Sequence, residues 1–412
     1  MSEKRLKKNV LLSILNQIFV SVFQFGISLY MVRFWGLEDF GFYTIIFTVS
    51  LIIIGLQNAL FNTPYSVVFF NALSEIESTE SINILNVIFV ILVSVITFFI
   101  LLTSYDFILS YLICLYFATN LLREFIKNKE IVEDNLSEVC AIDVMSIFLG
   151  MIMLVSAHFA AMLTLHTVFF IIIISNIVMI IYFHKKILSG CRIKQIVSVI
   201  SVYKNKIWCD SKWSLVGMLT TEVQAKSYIF LITTFAGVYS VGLVQGARVI
   251  FGPMNLIVSA WGRVTRPHVA MLFDRKEYKK IKVDIVKNLI FFVVVNVLFA
   301  LMIFPFYSHF DLIYSDELLR YENFSYLLIL WWVVTLLLHI RSVFSVYSQA
   351  MIKFKDLAKA TLYGSLFTIV MSIFILNLFE FSNIVLSIIF GEFFSILYIY
   401  ITIINRVGHE FE

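Results

Sequence analysis

Arg33-Phe34-Trp35-Gly36-Leu37-Glu38-Asp39-Phe40-Gly41-Phe42-Tyr43 separates two apolar runs, 10 to 33 and 43 to 66, each long enough to cross a bilayer. A short charged segment carrying glycines between two spans reads as a tight reversal, because glycine lacks the Cβ that forbids sharp backbone turns. The pattern recurs 201 residues later: Phe34, Gly36 and Gly41 find counterparts in Phe235, Gly237 and Gly242. Both stretches fall where the first and second helices of a six-helix set would join, which predicts two equivalent halves.

Outward from this turn the chain reads as further spans, at 84 to 104, 107 to 122, 139 to 158, 165 to 183, 213 to 235, 239 to 262, 286 to 308, 323 to 347, 360 to 379 and 382 to 404. With the first two that makes twelve. The composition agrees: of 412 residues 60% are hydrophobic and only 14% charged, with a mean hydropathy of +0.94, too little polar surface for a water-soluble globule. Twelve spans of about 20 residues leave about 160 for loops and tails. That excludes a separate catalytic domain, a fused nucleotide-binding module and a nucleic-acid-binding domain. The expected fold class is therefore an all-α polytopic membrane protein with about 12 transmembrane helices in two six-helix halves.

Basic residues orient it. With the N-terminus inside, inner segments hold 26 Lys or Arg and outer loops hold two, Arg33 and Arg320. This asymmetry predicts a multi-pass protein of the cell inner (cytoplasmic) membrane with both termini cytoplasmic. The longest connection divides the spans six and six, giving an N-terminal half over 1–184, a linker over 185–212 and a C-terminal half over 213–412. Within that connection Ile193, Ile196, Val197, Ile200, Tyr203 and Ile207 recur at helical spacing between lysines, as in an amphipathic helix lying on the inner membrane surface. The first apolar run is expected to be retained as a span: no alanine precedes Ala59, so a small-residue cleavage site is missing.

Chemistry-bearing motifs are few. Cys114, Cys140, Cys191 and Cys209 share no C-x-x-C spacing, and no D-x-D, H-E-x-x-H or phosphate loop occurs. The sequence therefore indicates no enzyme, no metal site and no cofactor.

The turn at Arg33 to Tyr43 looks like the R-x-x-G-x-x-D-F-G-x-Y turn of a known family. The chain resembles the polysaccharide-transporter branch of the multidrug/oligosaccharidyl-lipid/polysaccharide (MOP) exporter superfamily, the Wzx-type O-antigen flippases. Arg123-Glu124-Phe125 ending the fourth span, the Gly237 to Gly242 turn and Pro267 closing the eighth span are supporting features. The resemblance implies a MATE-like fold and a lipid-linked oligosaccharide substrate. It also implies membrane lipids and polysaccharide-assembly proteins as partners, and a cavity bordered by the first two helices of each half.

Polar side chains inside spans are costly against lipid and normally face protein or a water-filled cavity. Ser13, Gln17, Ser21, Gln24 and Ser28 share an arc of about 80° on the first helix at 100° per residue. Thr44, Thr48, Gly55, Asn58 and Asn62 form a stripe on the second. Gln245, Arg248, Gly252, Asn255, Ser259 and Arg263 form one on the eighth. Amides suit dense hydrogen bonding to sugars, so Gln17, Gln24, Asn58, Asn62, Gln245 and Asn255 are glycan-binding candidates; helix packing is the alternative. Arg248, Lys226 and Arg341 are candidates for a substrate pyrophosphate, which guanidinium matches in a bidentate way. Against this, Arg248 could pair with Glu222, Lys226 lies one turn from Glu222, and Arg341 is near enough to the inner end to snorkel. Glu222 and Glu392 are ion-coupling candidates or ion-pair partners, and Asp143 is expected at a span boundary. The reading that follows is a flippase moving polyprenyl-pyrophosphate-linked oligosaccharide by alternating access. Its rivals are a cation-coupled multidrug exporter and a polysaccharide polymerase, for which the outer loop near 309 to 322 is short.

Overall fold

The computed structural model describes residues 3–70, 76–184, 200–201, 203–204, 208–351 and 353–404. Most of the predicted linker, including Ile193, Ile196, Val197 and Ile207, lies outside them. The described residues are helical throughout, in the order α1 (Glu3–Phe34), α2 (Leu37–Gln57), a π-turn (Asn58–Asn62), α3 (Thr63–Phe70), α4 (Ile76–Leu102), α5 (Phe107–Val132), α6 (Leu136–Phe159) and α7 (Leu165–Tyr182). There follow α8 (Trp208–Val249), α9 (Gly252–Asp274), α10 (Tyr278–Ile303), α11 (Asp316–Leu319), α12 (Phe324–Ala350), α13 (Phe354–Leu378) and α14 (Ile384–Ile399). Among the described residues ten helical stretches are long and apolar enough to cross a membrane. The polar residues of α9 keep that helix below the threshold, and Phe19–Phe34 of α1 is apolar but shorter.

Helix ends explain the short connections. Asp106, Thr164 and Ser315 accept from the backbone N–H three residues on and so cap α5, α7 and α11. At the other ends Asp134, Ala161 and Lys276 take left-handed φ of 68°, 53° and 58°. The residue after each closes a six-to-one hydrogen bond, Asn135 to Glu130, Met162 to Ala157 and Glu277 to Leu272, which satisfies terminal carbonyls without glycine. Two expected span ends are corrected: α5 runs past Phe125 to Val132, and α9 runs past Pro267 to Asp274. Neighbouring helices can compensate for the one hydrogen bond a proline removes.

The chain forms two compact units, one of Met1–Phe23 and Val49–Leu219 and one of Gln24–Thr48 and Thr220–Glu412. The turn motif thus belongs to the second unit, and its residues show why. Arg33 donates to the carbonyl of Tyr314 at 2.9 Å, and the N–H of Leu37, an orphan at the first turn of α2, donates to Glu317 at 3.3 Å. Gly41 and Gly242 sit where α2 crosses α8. A Cβ on Gly41 would lie 2.2 Å from the carbonyl oxygen of Val238, and one on Gly242 would lie 1.9 Å from that of Leu37. The repeat is therefore reciprocal in space: each glycine meets the carbonyl that occupies, in the other copy, the place next to its own turn. The turn itself is asymmetric. Gly237 adopts φ 83°, whereas Gly36 is not left-handed.

In the first unit α2 passes through the π-turn before Pro64. A proline has no N–H to return to the carbonyl four residues earlier, and here the hydroxyl of Tyr203 donates to that carbonyl, of Leu60, at 2.7 Å. Phe61, Tyr65, Ile82 and Phe125 bury themselves beside it. In the second unit Val269, Phe292, Val343, Tyr347 and Ile399 join α9, α10, α12 and α14 in one apolar core.

Candidate functional site

Gly237 folds α8 back on itself, so the two arms run side by side and Tyr228 meets residues 17 and 20 positions later. The Tyr228 hydroxyl accepts from Gln245 Nε2 at 2.7 Å and from Arg248 Nη1 at 2.9 Å. The Arg248 guanidinium also lies 5.1 Å from the ring centroid of Trp331, and that indole is fixed by its own N–H donated to the carbonyl of Val244 at 2.8 Å. Tyr228 and Trp331 are buried while Arg248 is half-buried. No carboxylate lies within ion-pair distance of Arg248 among the described residues.

This arrangement answers the energetic question the arginine poses. Insertion scales charge about 2.5–3.5 kcal/mol for a mid-span arginine. A desolvated cation–π contact contributes about 2 kcal/mol and a charged hydrogen bond about 1.5–3 kcal/mol. Neutral aromatic groups thus offset the cost while leaving the positive charge uncancelled, which a carboxylate would not do.

The same face of α9 continues the polar stripe. Asn255 and Ser259 are exposed, and further along it Ser259, Gly262 and Arg266 face Ser342, Ser345 and Gln349 of α12 across a cleft of about 350 Å³. Its hydroxyls, amide and guanidinium supply donors and acceptors for a polyhydroxylated or phosphorylated group, and its volume falls at the lower end of ligand pockets. Arg266 and the α12 face of this cleft escaped the sequence reading, although Arg266 continues the α9 stripe by one further turn.

The other candidates are distributed as follows. In the second unit Lys226 is ion-paired with Glu222, and Arg341 with Glu392 at 2.8 Å. Gln224 donates to Glu392 at 3.3 Å and to Ser395 at 2.9 Å, so the Gln224 face of α8 packs against α14. Gln24 is exposed, and its carbonyl accepts from Ser28 at 3.0 Å. In the first unit Asn62 donates to Asn58 within the π-turn, while its own Oδ1 is buried without a partner among the described residues. The side chain of Gln17 lies outside the described residues. Gln57, which the stripe analysis passed over, is fully buried and donates to Asn86 and to the carbonyl of Leu121, both at 2.9 Å.

Asp143 requires a correction. It is no boundary residue: it is fully buried, and it accepts from Arg123 Nη2 at 2.6 Å, Lys127 Nζ at 2.7 Å and Asn16 Nδ2 at 2.7 Å. Arg123, read from sequence as ending the fourth span, and Lys127 lie one turn apart on the C-terminal stretch of α5 and converge on one carboxylate. Among the described residues no group of three or more His, Cys, Asp or Glu is placed to hold a metal ion.

The fold has known counterparts. The chain superposes on an inward-facing MATE-family multidrug resistance transporter of the MOP superfamily with a TM-score of 0.73 at 11% identity, covering 94% of each chain. It matches the MATE multidrug transporter DinF-BH with a TM-score of 0.62 at 16% identity, over 98% of this chain and 96% of that one. A Vibrio cholerae MATE transporter, VcmN, matches with a TM-score of 0.60 at 14% identity, over 98% and 97%. No family model matches the sequence, and no curated protein matches it. The fold is that of the MATE transporters of the MOP superfamily.

Proposed function

We propose that this chain is a membrane transporter, not an enzyme, and that it moves a polyprenyl-pyrophosphate-linked oligosaccharide across the inner membrane by alternating access. The observation that carries this reading is the balance of charge. Asp143, Glu222 and Glu392 each hold a lysine or arginine, whereas Arg248 rests on neutral Tyr228 and Trp331. A stripe whose uncancelled charge is positive, bordered by amides and hydroxyls, suits an anionic glycolipid: pyrophosphate at the guanidinium, sugars along Asn255, Ser259 and Gln349. In this reading Gln245 positions Arg248 through their common hydroxyl. Lys226 and Arg341 reach substrate only if their carboxylates release them. Glu222 and Glu392 are then the groups through which a coupling proton would act.

The test is export of surface polysaccharide in cells carrying Arg248 variants. Arg248→Lys keeps the charge and should retain part of the activity. Arg248→Gln should reduce export by about tenfold or more, the value of a charged hydrogen bond. Recovery in the Arg248→Gln, Glu222→Gln double variant would overturn the assignment, since it would mean the arginine serves only to balance a carboxylate. Deletion of the gene should leave a lipid-linked glycan on the inner leaflet.

A second reading, a multidrug exporter of the same superfamily, is supported by the shared fold with the MATE transporters. The same arginine separates the two. A cationic dye is repelled by Arg248, so its efflux should hold or rise in Arg248→Gln, and a rise with unchanged polysaccharide export would favour the drug reading.

A further inference from the structure

The inner end of the second unit carries a basic cleft that the transport reading does not use. It lies between the last turn of α9 and the first turns of α10, encloses about 500 Å³, and has Leu272 and Val283 as apolar wall. Two of its side chains are internally committed: Lys280 pairs with Glu277 at 2.6 Å, and His268 lies 3.5 Å from Asp284. Arg275, Lys279 and Lys287 also line it, are exposed, and form no ion pair among the described residues. They leave the cleft strongly positive. By the basic-residue topology this end of the unit faces the inner leaflet, where anionic lipids attract such clusters.

A second observation selects lipid over a soluble anion. Val283, Lys287, Ile290, Val294 and Leu301 fall on one face of α10 at 100° per residue. The apolar members are 51%, 58%, 48% and 64% exposed in chain order. The stripe starts inside the cleft and climbs without a break. Beyond Lys287, from Ile290 to Leu301, it covers about 16 Å at about 1.5 Å per residue, which is half of a hydrocarbon core about 30 Å thick. A charged cleft continuous with a bare apolar track one leaflet long has the outline of a phospholipid.

We propose that this cleft holds the headgroup of an anionic glycerophospholipid of the inner leaflet, its phosphate on Arg275, Lys279 and Lys287 and an acyl chain along the α10 stripe. Lys287 stands where head and chain meet and marks the depth of the phosphate. The site is separate from the Arg248 stripe and does not depend on what is transported.

The test uses the full-length protein in nanodiscs of phosphatidylcholine with about one part in five phosphatidylglycerol, a charge density typical of an anionic leaflet. Native mass spectrometry after detergent release counts the retained phosphatidylglycerol. Arg275→Gln, Lys279→Gln, Lys287→Gln should lower retention by about tenfold or more, each charge being worth about fivefold. The matched set Lys353→Gln, Lys355→Gln, Lys359→Gln removes equal charge from another connection and should retain lipid as the parent does. Should the triple variant fail to fold, Lys279→Gln and Lys287→Gln measured singly carry the same test. Equal loss in both sets, or no loss in either, overturns the proposal. So does binding of the soluble headgroup, glycerophosphoglycerol, as tight as that of the lipid, since the acyl track would then contribute nothing.

Discussion

The crossing of α2 and α8 makes a quantitative prediction. In Gly242→Ala the new Cβ would lie 1.9 Å from the carbonyl oxygen of Leu37, and in Gly41→Ala it would lie 2.2 Å from that of Val238. Ordinary contact begins near 3.4 Å, so the two backbones must part by more than an ångström. Both obstacles are main chain, so no rotamer change relieves them. Overpacking of this kind costs about 1–3 kcal/mol and more where nothing yields. Alanine's better helix propensity returns about 1 kcal/mol. The net loss should be about 2 kcal/mol for each variant, or about 30-fold in the folding equilibrium. One displacement accommodates both methyl groups, so the double variant should cost little more than the worse single one. Gly36→Ala, whose Cβ would meet nothing within 4 Å, should be neutral. Equilibrium unfolding in mixed dodecyl sulfate micelles measures all four. Wild-type stability in Gly242→Ala, or full additivity in the double variant, would refute the close reciprocal crossing.

Three further outcomes are expected. Asp143→Asn strands Arg123 and Lys127 in a buried site and should destabilise the first unit by about 3–5 kcal/mol, the cost of breaking a buried pair, as read by the same unfolding assay. Tyr228→Phe removes the acceptor shared by Gln245 and Arg248. It should cost about 1–3 kcal/mol and lower export beyond what the loss of folded protein explains, measured as polysaccharide per inserted molecule. Cysteines placed at the exposed Arg275 or Lys276, between α9 and α10, should be shielded from an impermeant thiol reagent in intact cells, while one at Asp316 is labelled; the reverse pattern would invert the topology.

Much of the architecture is legible in the sequence, because span length and the turn glycines are local signals. The polar residues of the eighth span stand out in the sequence by their period, but the structure divides them, with Gln245 and Arg248 on α8 and Asn255 and Ser259 on α9. The Glu222–Lys226 pair also follows from spacing alone. What escapes is what depends on distant partners. Asp143 gathers Asn16 from 127 residues away, and a carboxylate near a span end looks like a boundary residue until that partner is placed. Tyr228 and Trp331 give no sign of holding Arg248, since an aromatic residue in an apolar run carries no periodic signal. Gly41 and Gly242 register as a repeat, yet reading them as turn residues misses that both lie inside helices and touch across the copies. Arg341 and Glu392 each draw notice as a charge in a span, and only the packing of α12 on α14 makes them a pair.

The hydroxyl that Tyr203 lends to Leu60 has a practical consequence. The carbonyl it serves lies within the π-turn, four residues before Pro64, so the bond depends on the geometry of that turn. Tyr203 belongs to the connection between α7 and α8, and its ring also lies 6.2 Å from that of Phe61. That makes the connector a gauge of the second helix as well as a strap. A fluorine atom on the Tyr203 ring would sense the turn while leaving Arg248, Asn255, Ser259 and Gln349 unaltered. Its resonance would report any rearrangement of that turn.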